Sequence, residues 1–437
     1  MNKKAAVHNL GCKVNAYETE AMQQLLEEAG YEIVPFGEKA DVYLINTCTV
    51  TNIADRKSRQ MLHKARKLNP DAIVVAAGCY AQTDTEKLKN DQTVNLILGN
   101  NQKHQIVEVL EAYEKEHKKE LRVIEINRTK EYENLSISRT AEHVRASIKV
   151  QDGCNQFCTY CIIPYARGRV RSRKPEEITA EIRTLADRGY QEVVLTGIHL
   201  SSYGVDFKEE KENLLSLIQA VHEIEGIRRI RLGSLEPRII TEEFMEGIAA
   251  LPKVCPHFHL SLQSGCDRTL ERMNRRYSAA EYREKCEMIR RYYPSPALTT
   301  DVITGFPGET EEDFRESFEF VKSIHFYETH IFKYSRRQGT KAASMDGQLT
   351  EAVKAQRSEI LLKLNEQRET EYEEAMLGKE LEILLEEEIE LDGRSFLLGH
   401  SREYIKTAVE KKEGLKINDL VKAKAVRLME NHILLAE

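Results

Sequence analysis

Three short apolar runs in the first hundred residues, each followed at once by a cysteine, constrain this chain more than any other feature. The runs cover residues 5–10, 42–45 and 73–77, and the cysteines follow as Gly11-Cys12, Asn46-Thr47-Cys48 and Gly78-Cys79. Between them lie stretches with helical spacing, 18–29 and 54–68. Strand–helix–strand alternation builds a parallel sheet with right-handed crossovers. The cysteines are separated by 36 and 31 residues, about one βα unit each. All three are therefore expected at the C-terminal ends of parallel strands, the edge where such sheets carry their sites. Far apart in sequence, they can still converge in space. Three separately buried cysteines would explain the residue type, but not the equivalent placement.

The rest of the chain must fit around that sheet. Its 437 residues suggest about three domains, and 41% hydrophobic with 31% charged residues is an ordinary globular composition. That excludes a wholly disordered, a collagen-like and a small disulfide-stapled chain. The longest apolar run, near 72–81, is short of the ~18–20 residues that span a membrane. The N-terminus lacks the apolar core and cleavage site of a signal peptide, so a cytoplasmic location is expected. A net charge of −7 lends no global support to nucleic-acid binding, although a local basic face remains open. Nine cysteines, an odd number in a cytosolic chain, speak for metal, catalysis or burial over disulfides.

The expected organisation is an α/β chain in three parts. Residues 1–112 form an N-terminal parallel α/β domain and 113–139, highly charged, a linker. Residues 140–371 hold strand runs at 146–150, 192–196, 228–232, 257–262, 298–304 and 329–332, with helical patterns at 175–188, 214–225, 241–251, 279–292 and 310–324. Six βα repeats predict a partial TIM-type barrel, since a closed one needs eight. After a helix near 350–374, residues 372–437 carry strand patterns at 381–389, 395–398, 404–409 and 423–435. These predict a small all-β barrel of OB-like size.

A second cysteine group, Cys154-Asn-Gln-Phe-Cys158-Thr-Tyr-Cys161, follows the first strand of the central region. Three thiolates in one loop can hold three irons of a [4Fe–4S] cluster and leave the fourth iron open. A structural zinc would want a fourth ligand nearby, and the next downstream histidine is His199. A dithiol redox motif would leave Cys154 unexplained. This loop resembles the signature of radical S-adenosylmethionine (SAM) enzymes, which place the aromatic residue before the third cysteine, here Tyr160, against the SAM adenine. The resemblance extends to methylthiotransferases through Gly11-Cys12-Lys13-Val14-Asn15, Asn46-Thr47-Cys48-Thr49-Val50-Thr51, Gly78-Cys79-Tyr80-Ala81-Gln82, Arg231-Leu232-Gly233-Ser234-Leu235-Glu236-Pro237 and Asp301-Val302-Ile303-Thr304-Gly305-Phe306-Pro307-Gly308-Glu309-Thr310. The terminal β-region resembles the RNA-binding TRAM domain. Gly-Cys-Lys-Val-Asn with Cys-Thr-Val-Thr is most similar to the subgroup acting on N6-threonylcarbamoyladenosine (t6A) in tRNA.

What the resemblance implies is specific. One [4Fe–4S] cluster on Cys154, Cys158 and Cys161 would bind SAM and cleave it to a radical that takes hydrogen from C2 of the adenosine at position 37. A second, auxiliary [4Fe–4S] cluster on Cys12, Cys48 and Cys79 would hold the sulfur to be delivered, and a second SAM would give the methyl group. An electron-donating redox protein and a sulfur donor are the implied partners, with the tRNA anticodon loop as substrate. An isopentenyladenosine in tRNA or an aspartate of a ribosomal protein are alternative substrates. A non-catalytic metal- or RNA-binding protein is the alternative of another class.

Further contacts are read from strand ends. Thr196 and Gly197, Ser234 and Glu236, and Gly305 each follow a barrel strand and suit SAM binding, although each also fits a structural turn. Cys255, Cys266 and Cys286 have no ligand spacing and are read as non-ligands; His257 and His259 are read as packed or hydrogen-bonded. Arg167, Arg169, Arg171, Arg173 and Lys174 follow the radical SAM loop and are read as RNA-phosphate contacts. Arg56, Lys57, Arg59, Lys64, Arg66 and Lys67 fit RNA or a solvated face equally. The terminal β-region is awkward for an RNA binder: residues 375–437 contain ten Lys/Arg against thirteen Asp/Glu.

Overall fold

The computed structural model describes residues 3–140, 144–208, 212–391, 393–429 and 431–437. The N-terminal sheet is all parallel, with edge-to-edge order Glu32–Ile33, Lys4–Asn9, Val42–Thr47, Ile73–Gly78, Leu96–Leu98, Glu120–Arg122. The strand Val42–Thr47 is buried throughout. It reads as a continuous apolar run because helices cover both faces. The three cysteine-bearing strands are immediate neighbours in this sheet. The segment read from sequence as a linker supplies the edge strand Glu120–Arg122. It also sends Leu135 and Ile137 into the core of the central region.

The central region has the six parallel strands expected, Arg145–Asp152, Glu192–Gly197, Arg229–Leu232, His257–His259, Ala297–Thr304 and Glu328–Lys333. Bridges Ile230↔Val254 and Leu235↔Leu260 join its two halves. Among the described residues no pairing links the first strand to the last, so the barrel is open. The C-terminal region is a closed five-stranded barrel, Glu380–Leu391, Arg394–Ser401, Lys406–Glu410, Ile433–Ala436 and Leu420–Met429 in spatial order. Here the structure corrects the sequence reading. The single strand expected at 423–435 is two strands, which meet at a turn where Asn431 and His432 both have positive φ (61° and 56°). Asparagine tolerates that conformation in tight hairpins, and the apolar residues on either side hid the turn.

Two buried ionic clusters join these three bodies. At the first, Glu18 on helix Lys13–Glu28 is fully buried. It accepts from Lys149 at 2.6 Å and from both Arg167 terminal nitrogens at 2.8 and 2.9 Å, with Lys103 at 3.1 Å. Asp152 accepts from Lys149 at 2.8 Å and Arg167 at 3.2 Å. Burial alone would raise both carboxyls, but the neighbouring cations win and hold them below the usual carboxylate range.

The second cluster seats the terminal barrel on the N-terminal ends of the central strands, opposite the cysteines. Arg231 reaches Glu192 at 2.8 Å and the Arg402 carbonyl at 3.0 Å, and Arg229 reaches Glu382 at 3.0 Å. Tyr404 stacks between His257 (5.2 Å) and His400 (4.4 Å), with the Arg231 guanidinium 4.6 Å from its ring centre. Despite burial, Arg231, Arg145 and Arg229 bring the Glu192 carboxyl down to about 2.

Removing one partner of a buried ion pair costs about 3–5 kcal/mol. Glu18→Gln is therefore expected to lower unfolding free energy by about that amount in urea titrations of the metal-free chain. Glu192 has a depressed folded pKa, so its stabilisation is complete above about pH 4.5 and disappears as pH falls towards 2. Glu192→Gln should flatten the acid limb of the stability profile; an unchanged limb would show that Arg231 and Glu192 contribute nothing.

Candidate active site

Cys12, Cys48 and Cys79 stand at the C-terminal ends of three adjacent strands. Cys12 caps helix Lys13–Glu28, Cys48 directly follows Thr47, and Cys79 opens the short helix Cys79–Thr83. Glycines bring them close. A Cβ on Gly78 would lie 2.3 Å from Asn46 Oδ1, and one on Gly11 would lie 3.0 Å from Cys48 Sγ. Cys48 and Cys79 are buried, and Cys12 opens to solvent. The Ser58 hydroxyl closes the Cys48 loop, donating to its carbonyl at 3.0 Å and accepting from its N–H at 3.2 Å.

Cys154, Cys158 and Cys161 occupy the loop after strand Arg145–Asp152 and are half-buried. The loop is tied down on both sides. The Cys154 N–H donates to the Gly168 carbonyl at 3.0 Å, Thr159 N–H to Met273 at 3.0 Å, and Ala342 N–H to Thr159 at 2.8 Å. Burial pushes the thiols up, Cys48 and Cys154 to about 11 and Cys161 to about 12. Thiolate ligation to a metal therefore has to displace protons here.

Sequence reading missed the arginine at each set. Arg167, read there as a phosphate contact, is fully buried; its Nε lies 3.3 Å from Cys79 Sγ. Asn100 Nδ2 lies 3.5 Å from the same sulfur. At the other set Arg275 Nη1 lies 3.3 Å from Cys158 Sγ, while its Nε donates to the Tyr277 hydroxyl at 2.9 Å. Among the described residues Arg275 has no carboxylate within 4.0 Å. A cation left without a carboxylate beside a sulfur suits a ligand set that carries negative charge. No local motif marks either arginine; each meets its sulfur through tertiary structure.

Three of the four arginines expected to contact RNA are thereby corrected. Arg167 lies among Glu18, Asp152 and Cys79; Arg171 is 3.6 Å from Asp152; Arg173 pairs with Glu181. Buried and turned to carboxylates inside the protein, they are out of reach of a phosphate. Arg169 is exposed, over the Phe157 ring at 4.4 Å. In the earlier basic run, Arg66 bonds the carbonyls of Ala72 and Thr93, and Arg59 the Tyr80 hydroxyl. Arg56 and Lys57 are exposed.

The strand-end residues divide. Tyr160 is half-buried, edge-on to Phe306 at 6.3 Å. Thr196 and Gly197 end their strand beside Gln151, whose Oε1 would lie 2.8 Å from a Cβ on Gly197 and accepts the His199 N–H at 2.8 Å. Ser234 is exposed; Glu236 is buried, and its carboxylate accepts from Arg238 at 2.7 Å. Gly305 departs from expectation: Lys354 Cγ lies 2.4 Å from where its Cβ would stand, and its N–H donates to Glu309. The backbone approach it permits is made by a lysine of the same chain. Cys255, Cys266 and Cys286 are buried. His199, also missed as a site residue, has Nε2 buried without a partner, and burial with Arg275 and Arg238 nearby lowers it to about 4.

Spacing bears on which metal these sulfurs suit. Around tetrahedral zinc, sulfurs stand about 3.8 Å apart, given Zn–S bonds of about 2.3 Å. Among the described residues, three donors meet within 4.8 Å at His259, Asp301 and His330, and the sulfurs of neither cysteine set do. Wider spacing fits cysteines that each ligate a different iron of one cluster.

Comparison with known proteins agrees with this geometry. Residues 148–321 match the radical SAM superfamily, and residues 4–99 match an uncharacterized protein family, UPF0004. The threonylcarbamoyladenosine tRNA methylthiotransferase MtaB of Bacillus subtilis is 41% identical over 97% of this chain and 93% of its own. Its namesake from Aquifex aeolicus is 45% identical over 88% and 93%. The tRNA-2-methylthio-N6-dimethylallyladenosine synthase of Moorella thermoacetica is 39% identical over 86% and 85%. Among solved structures, the radical SAM methyltransferase TsrM of Kitasatospora setae shares the fold, with a TM-score of 0.58 and 17% identity over 78% of this chain and 77% of that one. With two relatives above 40% identity over 97% and 88% of its length, and the radical SAM superfamily matched at residues 148–321, the chain belongs to the radical SAM methylthiotransferase family.

Proposed function

We propose that this chain is a tRNA methylthiotransferase that replaces hydrogen by a methylthio group at C2 of t6A at position 37, beside the anticodon. The observation that carries the reading is that one short segment, Arg167-Gly168, touches both three-cysteine sets, its Gly168 carbonyl accepting the Cys154 N–H at 3.0 Å. Arg167, six residues after Cys161, contacts Cys79 of the other set. The substrate assignment follows the two relatives named for threonylcarbamoyladenosine.

The residue sets fit two [4Fe–4S] clusters, an auxiliary one on Cys12, Cys48 and Cys79 and one on Cys154, Cys158 and Cys161, with SAM beside the latter. When bound, these groups supply the one-electron chemistry that an unactivated C–H bond requires, which no side-chain base provides. The chain's own part is positioning. Tyr160 offers a ring to the SAM adenine, and Thr196, Gly197, Ser234 and Glu236 line the neighbouring strand ends. Arg167 and Arg275 donate to cysteine sulfurs, a contact that raises cluster potentials. His199, neutral at physiological pH, adds no charge to the recess.

The proposed division is an N-terminal domain at 1–112, a linker at 113–139, a radical SAM domain at 140–371 and a TRAM domain at 372–437. A redox protein supplies electrons and a separate donor the sulfur, in the cytoplasm. No helix of the described residues is long and apolar enough to cross a membrane.

Two measurements test the reading. Anaerobically reconstituted protein should bind about eight irons, falling to about four in Cys79→Ser and in Cys158→Ser, with SAM cleavage lost in the second alone. Four irons in the unaltered protein would contradict the two-cluster assignment. In tRNA nucleosides from a deletion strain, mass spectrometry should find t6A without its methylthio form. Loss of methylthio-isopentenyladenosine instead would move the substrate to that of the Moorella relative.

A further inference from the structure

A groove beside both cysteine sets has a composition unlike the rest of this acidic chain. It is lined by Tyr165, Arg336, Gln338, Gly339, Lys341 and Ser344, with Thr340 and Ala343 beneath, and encloses about 760 Å³. One wall is the short helix Ile163–Arg167, which starts two residues after Cys161. The other is the loop after the last central strand. That loop is pinned to the Cys48 side: the Asn52 N–H donates to Ser335 Oγ at 3.1 Å, and Arg337 bonds Asp55 at 2.6 Å and Thr49 at 2.7 Å. It is also pinned to the Cys158–Cys161 loop through the Ala342–Thr159 bond of 2.8 Å.

The groove combines cations, an open ring and an absence of acid. Arg336 and Lys341 are exposed, and among the described residues neither lies within 4.0 Å of a carboxylate; Arg336 donates Nε to the Ala343 carbonyl at 2.8 Å. Tyr165 is 46% exposed, a large ring left open beside buried neighbours. It is edge-on to Phe157 at 5.9 Å, and Phe157 in turn carries the exposed Arg169. Segments 49–57, 157–169 and 335–345 contain one acidic residue, Asp55, and that one is held by Arg337. Arg56 and Lys57 extend the basic rim from the helix side.

We infer that this groove binds a nucleotide of single-stranded RNA next to the target base, with Tyr165 stacking on the base and Arg336 and Lys341 holding its phosphates. Single-stranded RNA is recognised through splayed bases stacked on aromatic rings and phosphates met by cations. The groove is roomy enough for a nucleotide, and its loop wall is bonded to Thr49 and Asp55 after Cys48 and to Thr159 between Cys158 and Cys161. A nucleotide seated there would hold its chain neighbour near the loops that carry Cys48 and Cys161. The inference rests on the tRNA reading above and assigns to this groove the phosphate contacts that buried Arg167, Arg171 and Arg173 cannot make.

The test measures binding of the anaerobically reconstituted enzyme to a t6A-containing anticodon stem-loop across a salt series. Arg336→Ala with Lys341→Ala should weaken binding about tenfold and lower the salt slope by about 1.4, the loss of two single-strand phosphate contacts. Tyr165→Ala should weaken binding about tenfold with the slope kept, and Tyr165→Phe should restore it. Lys363→Ala, on a distant exposed helix face, should bind as the unaltered enzyme does, and iron content should hold in all variants. Unchanged affinity and slope in the double variant, with the unaltered enzyme binding, would overturn the groove assignment alone. Failure of the unaltered enzyme to bind the stem-loop would overturn the tRNA reading with it.

Discussion

Four buried cations, Lys103, Lys149, Arg167 and Arg171, face three buried carboxylates, Glu18, Glu133 and Asp152, where the N-terminal sheet meets the open barrel. Burying charge is costly unless each ion is paired, so these residues tolerate few relative positions of the two bodies. The excess is positive, and Arg167 directs it at Cys79. A negatively charged ligand set at the cysteines completes the balance. The same contacts thus fix the orientation of the two domains and hold Arg167 against Cys79 while Gly168 accepts from Cys154.

The central barrel separates its duties by end. The C-terminal ends of its strands carry the cysteine loop, Arg275, His199 and the basic groove. The N-terminal ends carry Arg145, Glu192, Arg229 and His257, which receive the terminal barrel through Tyr404 and Arg402. Part of the terminal barrel's acidity serves this docking, Glu382 pairing with Arg229 and Glu386 with Arg145. Arg402 is used in docking, and Arg394 and Lys422 lie within 3.9 and 3.6 Å of Glu410 and Glu380. These three cations of the terminal barrel are engaged within the protein. Beside the cysteines, Arg336 and Lys341 stand exposed with no carboxylate within 4.0 Å among the described residues.

Much of this architecture was legible from periodicity and punctuation. Three cysteines after three apolar runs located the sheet edge, because side chains at equivalent strand ends converge in a parallel sheet. Six central strands followed from alternation. What stayed hidden depends on pairing across distance. Arg167 looked like its exposed neighbour Arg169, and only burial against Glu18 and Asp152 distinguishes them. Arg275 meets Cys158 across 117 residues. Gly305 suggested a ligand's approach, whereas Lys354, from the helix that follows the barrel, fills the space. The strand expected at 423–435 concealed a turn because the three-residue connection between Met429 and Ile433 leaves little mark between apolar flanks.

The proposed assignment puts one iron–sulfur cluster on each cysteine set, the two sets positioned by one buried ionic cluster. Anomalous diffraction at the iron edge from crystals of the anaerobically purified protein tests it most directly. Two separate iron peaks are expected, one bounded by the sulfurs of Cys12, Cys48 and Cys79, with Arg167 beside it, and the other by those of Cys154, Cys158 and Cys161. A single iron peak, or zinc-edge signal at either set, would contradict the account.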